Sequence, residues 1–437
     1  NSQHQRPKHM SYKSISTQRH RYLRRDYTGN RSEELVDPLE SYQIDVAKWV
    51  LNNPSRKQSH CKALMKVVAN PSMLDIAQQH LGISTRLLER GPDMWKWLRD
   101  LQTRLLSQTF ERGEYEKYEI PKPGKPGTRT IEEPPEETRI VARNLLNLLN
   151  PLLDPDFYPL SIGFRPKRSV LHGIAAAERL IDRGLTHWVA CDIKDAFGQL
   201  PKKRALEILS KRLFGSPVMW LVEELLDPTR KRGVPQGVNV SPLLLNVYMD
   251  HLFDRWWLKE STDACLIRYA DDILIACPSQ ESAVNSFASV SHRLEQIGLK
   301  VKECQAEAVS DLAAGDRVDW LGFRAHLVDG EMRLSVGESS WDKLEATLSV
   351  CKFKMLQGEK FSPYELASIG FQWVSQKAVG LSEAQLPVVA EQIRTLADQC
   401  GLDLSKFSDQ RAWQAWNRGC ESAEKASVEV LEWLPPA

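Results

Sequence analysis

The stretch Tyr269-Ala270-Asp271-Asp272 lies between two apolar runs, Cys265-Leu266-Ile267 and Ile273-Leu274-Ile275. Two apolar runs joined by a short polar segment predict a β-hairpin with Asp271 and Asp272 at its tip. Acids beside buried strands are costly without a cationic partner, and a divalent metal is the natural one. A pair of acids also occurs in ordinary solvated turns, so the rest of the sequence must decide between a metal site and a plain turn.

Length and composition predict a globular protein of two or three domains. The 437 residues are too many for one compact core, and 42% hydrophobic with 26% charged residues is typical of globular chains. The sequence has no run of about 18 apolar residues and no apolar signal segment near its start, so no membrane association is expected. The eight cysteines form no Cys-x-x-Cys pair, which argues against a zinc site and favours free thiols in the cytoplasm.

The N-terminal residues are strongly basic, although the formal net charge of the chain is only +1. Residues 1–31 contain eight Lys or Arg against one acid, with three tyrosines between them. Basic side chains neutralise phosphates and aromatic rings stack on unpaired bases, so this arm is predicted to bind RNA. The residues expected to contact RNA are Arg19, Arg21, Arg24 and Arg25. A solvated tail is the open alternative.

A second hairpin is predicted between residues 119 and 131. Its tip is the turn-rich Pro123-Gly124-Lys125-Pro126-Gly127. Lys122 on one strand and Arg129 on the other are both strong phosphate partners, so this hairpin can fold over a polyphosphate. A surface hairpin with solvated charges is the open alternative.

A further acid ends an apolar strand, His187-Trp188-Val189-Ala190-Cys191-Asp192, and Phe197 follows five positions later. An acid at the end of a buried strand needs a compensating charge. Asp192 is therefore a candidate to meet Asp271 across a sheet on shared metal ions. The alternative is that Asp192 caps the turn that follows the strand.

The loop of residues 233–242 reads Gly-Val-Pro-Gln-Gly-Val-Asn-Val-Ser-Pro and precedes an apolar segment. Ser241 as N-cap and Pro242 as first helical residue predict a helix that runs to about residue 258. Gly237 lets the backbone approach a ligand closely, and Gln236 can hydrogen-bond a sugar or a base. A plain loop before a core helix is the alternative.

Together these segments resemble the reverse transcriptases, and among them the bacterial lineage related to group II intron proteins. The resemblance covers about residues 115–330, and its motifs follow the family's order. The matching segments are Ile120 to Arg129, Gly163-Phe164-Arg165-Pro166, Asp192 to Phe197, Pro235-Gln236-Gly237 with Ser241-Pro242-Leu243-Leu244, Tyr269 to Asp272, Gly298-Leu299-Lys300-Val301, and the primer-grip turn Trp320-Leu321-Gly322-Phe323. One departure concerns the fourth palm motif, where Gln305 stands at the usual lysine position. Lys302 lies nearby and is a candidate to replace that lysine as the acid that protonates pyrophosphate; this role is left open.

The resemblance implies an α+β right-hand polymerase fold with fingers, a ferredoxin-like palm and a helical thumb. The expected parts are a basic arm (1–37), a helical N-terminal extension (38–115), fingers (116–185), a palm with the catalytic site (186–330), and a helical thumb with the C-terminal region (331–437). Periodicity supports the thumb independently, with helices expected over 339–356, 363–377, 382–400 and 408–421.

The resemblance also implies nucleotidyl transfer with two Mg²⁺ ions, or Mn²⁺, as cofactors. The catalytic residues would be Asp192, Asp271 and Asp272, which together with the Ile193 carbonyl would ligate the metal. The nucleotide-binding residues would be Lys122, Arg129, Ile193, Phe197, Gln236 and Gly237. Phe197 takes the position of the family's steric gate, a ring that excludes the ribose 2′-hydroxyl.

The expected function is RNA-directed DNA synthesis from deoxynucleotides. The sequence shows no zinc endonuclease, integrase-like or ribonuclease H segment. In this respect the chain resembles reverse transcriptases of anti-phage defence, which make cDNA from a dedicated, structured non-coding RNA. One rival is an intron-encoded maturase acting in splicing and mobility. The other is an RNA-binding scaffold without activity, which the three intact acids disfavour.

Overall fold

The computed structural model describes residues 46, 54–81, 93–121, 128–260, 263–356, 358 and 360–435. The basic arm with Arg19, Arg21, Arg24 and Arg25 lies outside these residues, as do Lys122 and the rest of the hairpin tip. Only the backbone of Arg129 is described.

The described strands form three antiparallel sheets. Their members are β1 (Glu116–Pro121), β2 (Thr128–Glu133), β3 (His187–Asp192), β4 (Cys265–Tyr269), β5 (Asp272–Cys277), β6 (Val309–Asp311), β7 (Val318–Trp320), β8 (Phe323–Val328) and β9 (Glu331–Val336). The second predicted hairpin is confirmed as β1 and β2, which pair so that Ile120 lies opposite Arg129. Strands β7, β8 and β9 form a meander.

Twelve described helices lie before the central sheet in the sequence or between its strands. They are α1 (Pro54–Val68), α2 (Pro71–His80), α3 (Asp93–Leu106), α4 (Glu136–Leu153), α5 (Val170–Ile181), α6 (Ala196–Gln199), α7 (Lys202–Arg212), α8 (Met219–Leu225), α9 (Val240–Met249), α10 (Arg255–Glu260), α11 (Gln280–Gln296) and α12 (Gln305–Ala308). A π-helical turn, Asp250–Asp254, joins α9 to α10. Short 3₁₀ turns lie at Asp154–Asp156, Leu312–Ala314, Ala378–Gly380, Glu383–Gln385 and Val430–Glu432.

The central sheet has the strand order β4-β5-β3-β6, with helices between β3 and β4 and α11 between β5 and β6. This antiparallel arrangement is the expected ferredoxin-like palm. Strands β5 and β3 lie in the middle, and α5 packs against β4 and β5 while α11 packs against β3, β5 and β6. The apolar runs of both central strands are therefore covered, which explains why they lack polar alternation.

The C-terminal part is helical, as expected from its periodicity. Its helices are α13 (Glu338–Leu356), α14 (Pro363–Gln376), α15 (Leu386–Gln399) and α16 (Asp409–Glu429). Helix α16 extends eight residues beyond the predicted end, and the predicted helix at 382 starts with a 3₁₀ turn. These helices enclose a hydrophobic core separate from the main one. No helix in the described part of the chain combines the length and apolarity needed to cross a bilayer.

Candidate active site

The predicted acidic hairpin is confirmed as β4 and β5, which pair Tyr269 with Asp272. Strand β3 runs on the other side of β5 and places Asp192 directly opposite Asp272. The backbone N–H of Ile193 donates to the Asp271 carbonyl at 3.1 Å. The two acidic segments that are far apart in the sequence therefore meet at one end of the sheet.

The turn between β4 and β5 has an unusual backbone. Ala270 has a φ of 61° although it is not glycine, and only 2% of its surface is exposed. Gly163 packs so closely beneath it that a Cβ there would lie 2.3 Å from the Ala270 nitrogen. A strained conformation of this kind persists where the surroundings fix it, and here they fix the position of Asp271.

A buried arginine anchors this turn from below. Arg268 donates to the Ala270 carbonyl at 2.8 Å, to Ser161 Oγ at 2.6 Å and to Asn246 Oδ1 at 3.0 Å. Its guanidinium also forms two bonds to Asp254, at 2.8 and 2.6 Å, and neither side chain is exposed. The π-helical turn thus supplies the carboxylate that pairs with the Arg268 guanidinium inside the core.

The carboxyl groups at the hairpin tip are electrostatically coupled. Burial, followed by the charge of Asp192, raises the pKa of Asp271 to about 6. Burial, followed by the charges of Asp271 and Asp192, raises the pKa of Asp272 to about 7. Ionising these carboxylates together is electrostatically unfavourable, and a bound cation would offset the repulsion between them.

Asp192 is held by two residues that follow the fourth motif. Its Oδ2 accepts a bond from Lys302 Nζ at 2.6 Å, and its backbone N–H donates to Glu303 Oε2 at 2.8 Å. The Lys302 ammonium also lies 3.5 Å from Glu303 Oε1. Burial alone would lower the pKa of Lys302, but Asp192 and then Glu303 outweigh it and raise that pKa. The structure therefore brings Lys302 to the site, whereas Gln305 begins the short helix α12.

The donor set fits a hard divalent cation. Mg²⁺ prefers carboxylate and carbonyl oxygens, and Asp192 Oδ1 is a buried oxygen without a hydrogen-bond partner in the described part of the chain. Among the described residues no three His, Cys, Asp or Glu side chains already converge as a metal-binding group. The fit therefore rests on the unpaired oxygen of Asp192 and the neighbouring Asp271, with Asp272 beside them.

The loop predicted to line the nucleotide joins Phe197 to the β1–β2 hairpin. The Val234 N–H donates to the Phe197 carbonyl at 2.8 Å, and the Gln236 carbonyl accepts from the Glu132 N–H at 2.7 Å. Gly237 has a φ of 131°, and a Cβ there would lie 2.3 Å from the Glu132 carbonyl. The close approach expected toward a ligand is thus made toward β2.

The prediction that Ser241 caps a helix is wrong. Helix α9 begins at Val240, and the Ser241 hydroxyl instead donates to the Pro235 carbonyl at 2.7 Å. Because the helix starts at Val240, Asn239 occupies the N-cap position and Ser241 lies inside the first turn, where its hydroxyl bonds back to the loop. The helical path does continue to Glu260, through the π-helical turn and α10.

The turn that matches the primer grip is anchored from the C-terminal helices. Ser340 Oγ donates to the Gly322 carbonyl at 2.7 Å, and Lys377 Nζ donates to the Leu321 carbonyl at 3.3 Å. Burial, with a smaller effect of Lys343, lowers the pKa of Lys377 to about 8. The positive charge of Lys343 also acts on Asp272, where it opposes part of the rise in pKa that burial and the neighbouring acids cause. Lys343 lies in α13, the helix that also carries Ser340, and this helix is therefore within electrostatic reach of the acidic tip.

Arg268, Asp254 and Glu303 were not predicted from the sequence. Arg268 carried a signal, since a charged residue within an apolar strand must find a buried partner. Its partner Asp254 lies in a helical segment that nothing in the sequence singles out. The nucleotide contacts expected of Lys122 and of the Arg129 side chain involve atoms outside the described part of the chain.

Residues 120–325, just under half of the chain, match the protein family described as reverse transcriptase (RNA-dependent DNA polymerase). These residues therefore form a reverse transcriptase domain, the kind of domain found in RNA-directed DNA polymerases.

Two curated relatives match different lengths of this chain. Protein YkfC of Escherichia coli K12 is 27% identical in an alignment of 320 residues, and the match covers 60% of this chain and 82% of YkfC. An uncharacterized 91 kDa protein in the cob intron of Schizosaccharomyces pombe is 31% identical in an alignment of 123 residues, and the match covers 26% of this chain and 15% of that protein. The chain thus spans most of YkfC but only a small part of the intron relative.

A solved structure of telomerase from Candida albicans in complex with a fragment of telomeric RNA is also similar to this chain. The sequence identity is 14% and the TM-score 0.43, with 74% of this chain and 61% of the telomerase chain covered.

The raised pKa of Asp272 predicts that its charge destabilises the metal-free protein. The ordinary pKa is 3.8 and the folded-state pKa is about 7, so the folded state binds the proton more tightly and stability falls as pH rises through this window. Asp272→Asn should therefore raise the free energy of unfolding at pH 8 in EDTA by roughly 1–2 kcal/mol. Thermal melts at pH 8 and pH 5 measure this, and the gain should shrink at pH 5.

The matched control is Asp329→Asn, at the tip of the β8–β9 hairpin, where Asp329 has a φ of 53°. This variant should show no pH-dependent gain. An Asp272→Asn protein no more stable than the wild type at pH 8 would contradict the electrostatic account.

Proposed function

We propose that the domain synthesises DNA on an RNA template with Asp192, Asp271 and Asp272 as its catalytic carboxylates. One observation carries this assignment. Asp192 lies opposite Asp272 on the two central strands, where burial raises the pKa values of Asp271 and Asp272 and the charge of Asp192 raises both further. A site that accumulates unfavourable negative charge is suited to binding Mg²⁺.

The metal site would be held by Asp192, Asp271 and the Ile193 carbonyl, with Asp272 in support. When bound, two Mg²⁺ ions stabilise charge on the attacking primer oxygen and on the leaving pyrophosphate. Lys302, which is hydrogen-bonded to Asp192, is the proposed donor of a proton to the pyrophosphate. It would take the place of the lysine that relatives usually have at the position of Gln305. Its ammonium would keep the local charge balanced while the carboxylates are ionised.

The incoming nucleotide would lie between the β1–β2 hairpin and the loop that carries Gln236 and Gly237. Lys122 and Arg129 would hold its triphosphate. The hydrogen bond from Glu132 to the Gln236 carbonyl supports this arrangement, because it ties that hairpin to the loop. The same loop is bonded to the backbone of Phe197, so the proposed gate and the phosphate-binding hairpin belong to one connected unit.

Phe197→Ala should weaken discrimination against ribonucleotides. Removing the ring opens the space that a 2′-hydroxyl needs, so the ratio of kcat/KM for dNTP to kcat/KM for rNTP is expected to fall about tenfold or more. Primer extension on an RNA template with each nucleotide measures the ratio. An unchanged ratio would remove Phe197 from the gate.

The proposed template is a dedicated, structured non-coding RNA, copied into cDNA in bacterial anti-phage defence. The basic and tyrosine-containing residues 1–31 support a large RNA-binding surface beyond the polymerase domain. A group II intron role in splicing and mobility is the second candidate, favoured by the relative in the cob intron.

Sequencing the RNA and cDNA that co-purify with the full chain from cells separates the two roles. One recurrent non-coding RNA with cDNA copied from it would support the first proposal. Intron RNA bound to the protein, with splicing that survives Asp271→Asn, would support the second.

A further inference from the structure

We propose that Phe164 positions the Phe197 ring and so contributes to the choice between deoxyribose and ribose. This inference rests on the proposed function of Phe197 as a sugar gate. Phe164 follows Gly163, which packs beneath the acidic turn, but neither the metal site nor the phosphate-binding hairpin assigns a role to the Phe164 ring.

The ring of Phe164 contacts two rings at the active site. Its centroid lies 6.3 Å from that of Phe197 with an interplanar angle of 75°, which is an edge-to-face contact. It lies 6.4 Å from the ring of Tyr269, at 44°. Both distances fall in the range of about 4.5–7 Å in which aromatic pairs attract and restrict each other's orientation. Phe164 therefore connects the proposed gate with the first residue of the acidic turn.

The backbone holds Phe164 in a conformation that such a residue rarely adopts. Its φ is 58°, in the left-handed region, where a Cβ is unfavourable. Despite its apolar ring, 53% of Phe164 is exposed. A strained backbone and an exposed apolar ring both carry a cost, and strain of this kind is concentrated at functional sites.

The residues on either side fix this conformation. The Gly163 carbonyl accepts a bond from Asn246 Nδ2 at 2.8 Å. Arg165, only 7% exposed, donates to the Asp154 carboxylate at 2.7 Å and to the Ser161 carbonyl at 2.8 Å. The residues on both sides of Phe164 are therefore held by hydrogen bonds. Such a fixed backbone is what a rigid support for the Phe197 ring requires.

The support acts on a ring that is otherwise only partly enclosed. Phe197 sits in the short helix α6 and packs at the margin of the main core. A phenylalanine ring with space on one side can rotate away from a 2′-hydroxyl, because rotamers of loosely enclosed side chains interconvert readily. Contact with Phe164 removes part of that freedom, so the steric clash with ribose becomes more effective.

The test is a double-mutant cycle on sugar discrimination. Phe164→Ala should lower the ratio of kcat/KM for dNTP to kcat/KM for rNTP by about 3- to 10-fold, the size of one lost ring contact. Phe164→Tyr keeps the ring and should keep the ratio. In the Phe197→Ala background, Phe164→Ala should have no further effect, because the ring that it positions is gone.

The matched control is Phe214→Ala. Phe214 has a φ of 54° and 42% exposure, and it lies in the loop between α7 and α8. This variant should leave the ratio unchanged. Both nucleotides are measured with the same protein preparation, so partial loss of folded enzyme cancels in the ratio. Phe164→Leu, which keeps apolar volume, should give a ratio below that of the wild type.

The outcomes separate this inference from the function on which it rests. An unchanged ratio in Phe164→Ala, with a lowered ratio in Phe197→Ala, overturns the role of Phe164 alone. Additive effects of the two changes overturn it as well, because they would mean that Phe164 acts independently, for example by stacking on a base. An unchanged ratio in Phe197→Ala overturns the gate itself, and the positioning role with it.

Discussion

Asp271→Asn is expected to reduce deoxynucleotide incorporation on an RNA template by at least about a thousandfold, because metal-ion stabilisation of the transition state is worth several kcal/mol. The substitution keeps the size of the side chain and removes the charge that would hold a divalent cation. It should leave the fold intact, since burial and Asp192 make the Asp271 charge unfavourable in the absence of metal.

The expected result is therefore an enzyme that is inactive and at least as stable as the wild type in EDTA. Single-turnover primer extension and thermal melts, carried out on the same preparation, measure the two properties. Asp329→Asn again serves as the control at a hairpin tip and should retain activity. An Asp271→Asn protein that is inactive because it unfolds would contradict the account, since the loss would then be structural.

Arg268→Met is expected to have the largest effect on stability. Asp254 would be left as a buried carboxylate without a partner, which costs about 3–5 kcal/mol. Denaturant unfolding measures the loss. The matched control is Arg104→Met, because Arg104 makes a similar two-bond pair with Glu137, at 2.7 Å for both bonds, in a partly exposed position. That change should cost only about 1 kcal/mol.

The double variant Arg268→Met with Asp254→Leu separates stability from positioning. Replacing a buried ion pair by apolar residues of similar volume is often neutral, so most of the stability should return. Activity should remain at least about tenfold reduced, because the Ala270 carbonyl loses the donor that fixes the acidic turn. A double variant that is both stable and fully active would show that Arg268 serves the fold and does not position the turn.

The parts of the fold that follow from local patterns were predictable from the sequence. Two short apolar runs on either side of Asp271 and Asp272 favour a hairpin, because runs of this length with a polar segment between them are typical of buried strands joined by a turn. Four C-terminal helices were predicted, with bounds close to those of α13 and α14 and a premature end for α16, since Gly or Pro breaks separate most of them. The meeting of Asp192 with the hairpin was implied by the family resemblance, and the register of β3 and β5 agrees with it.

The features that depend on distant partners were not predictable. The pairing of Arg268 with Asp254 joins a strand to a π-helical turn, and the hydroxyl of Ser241 is taken by a carbonyl within its own loop. From the sequence, Lys302 was a candidate to replace the lysine usually found at the Gln305 position, but its contact with Asp192 was not predicted. A β-bridge between Ile193 and Val301 brings Lys302 next to Asp192. This pairing joins segments more than 100 residues apart, so no local pattern in the sequence indicates it.

The most direct test of the central claim is primer extension by the purified wild-type chain on a heteropolymeric RNA template with a DNA primer. The expected result is a DNA product complementary to the template, formed from dNTPs in Mg²⁺ and abolished by EDTA. A control measurement of the Kd for the annealed RNA template and DNA primer shows whether the protein binds this duplex. Tight binding of the RNA–DNA duplex without extension in either Mg²⁺ or Mn²⁺ would contradict the assignment of Asp192, Asp271 and Asp272 as a working polymerase site.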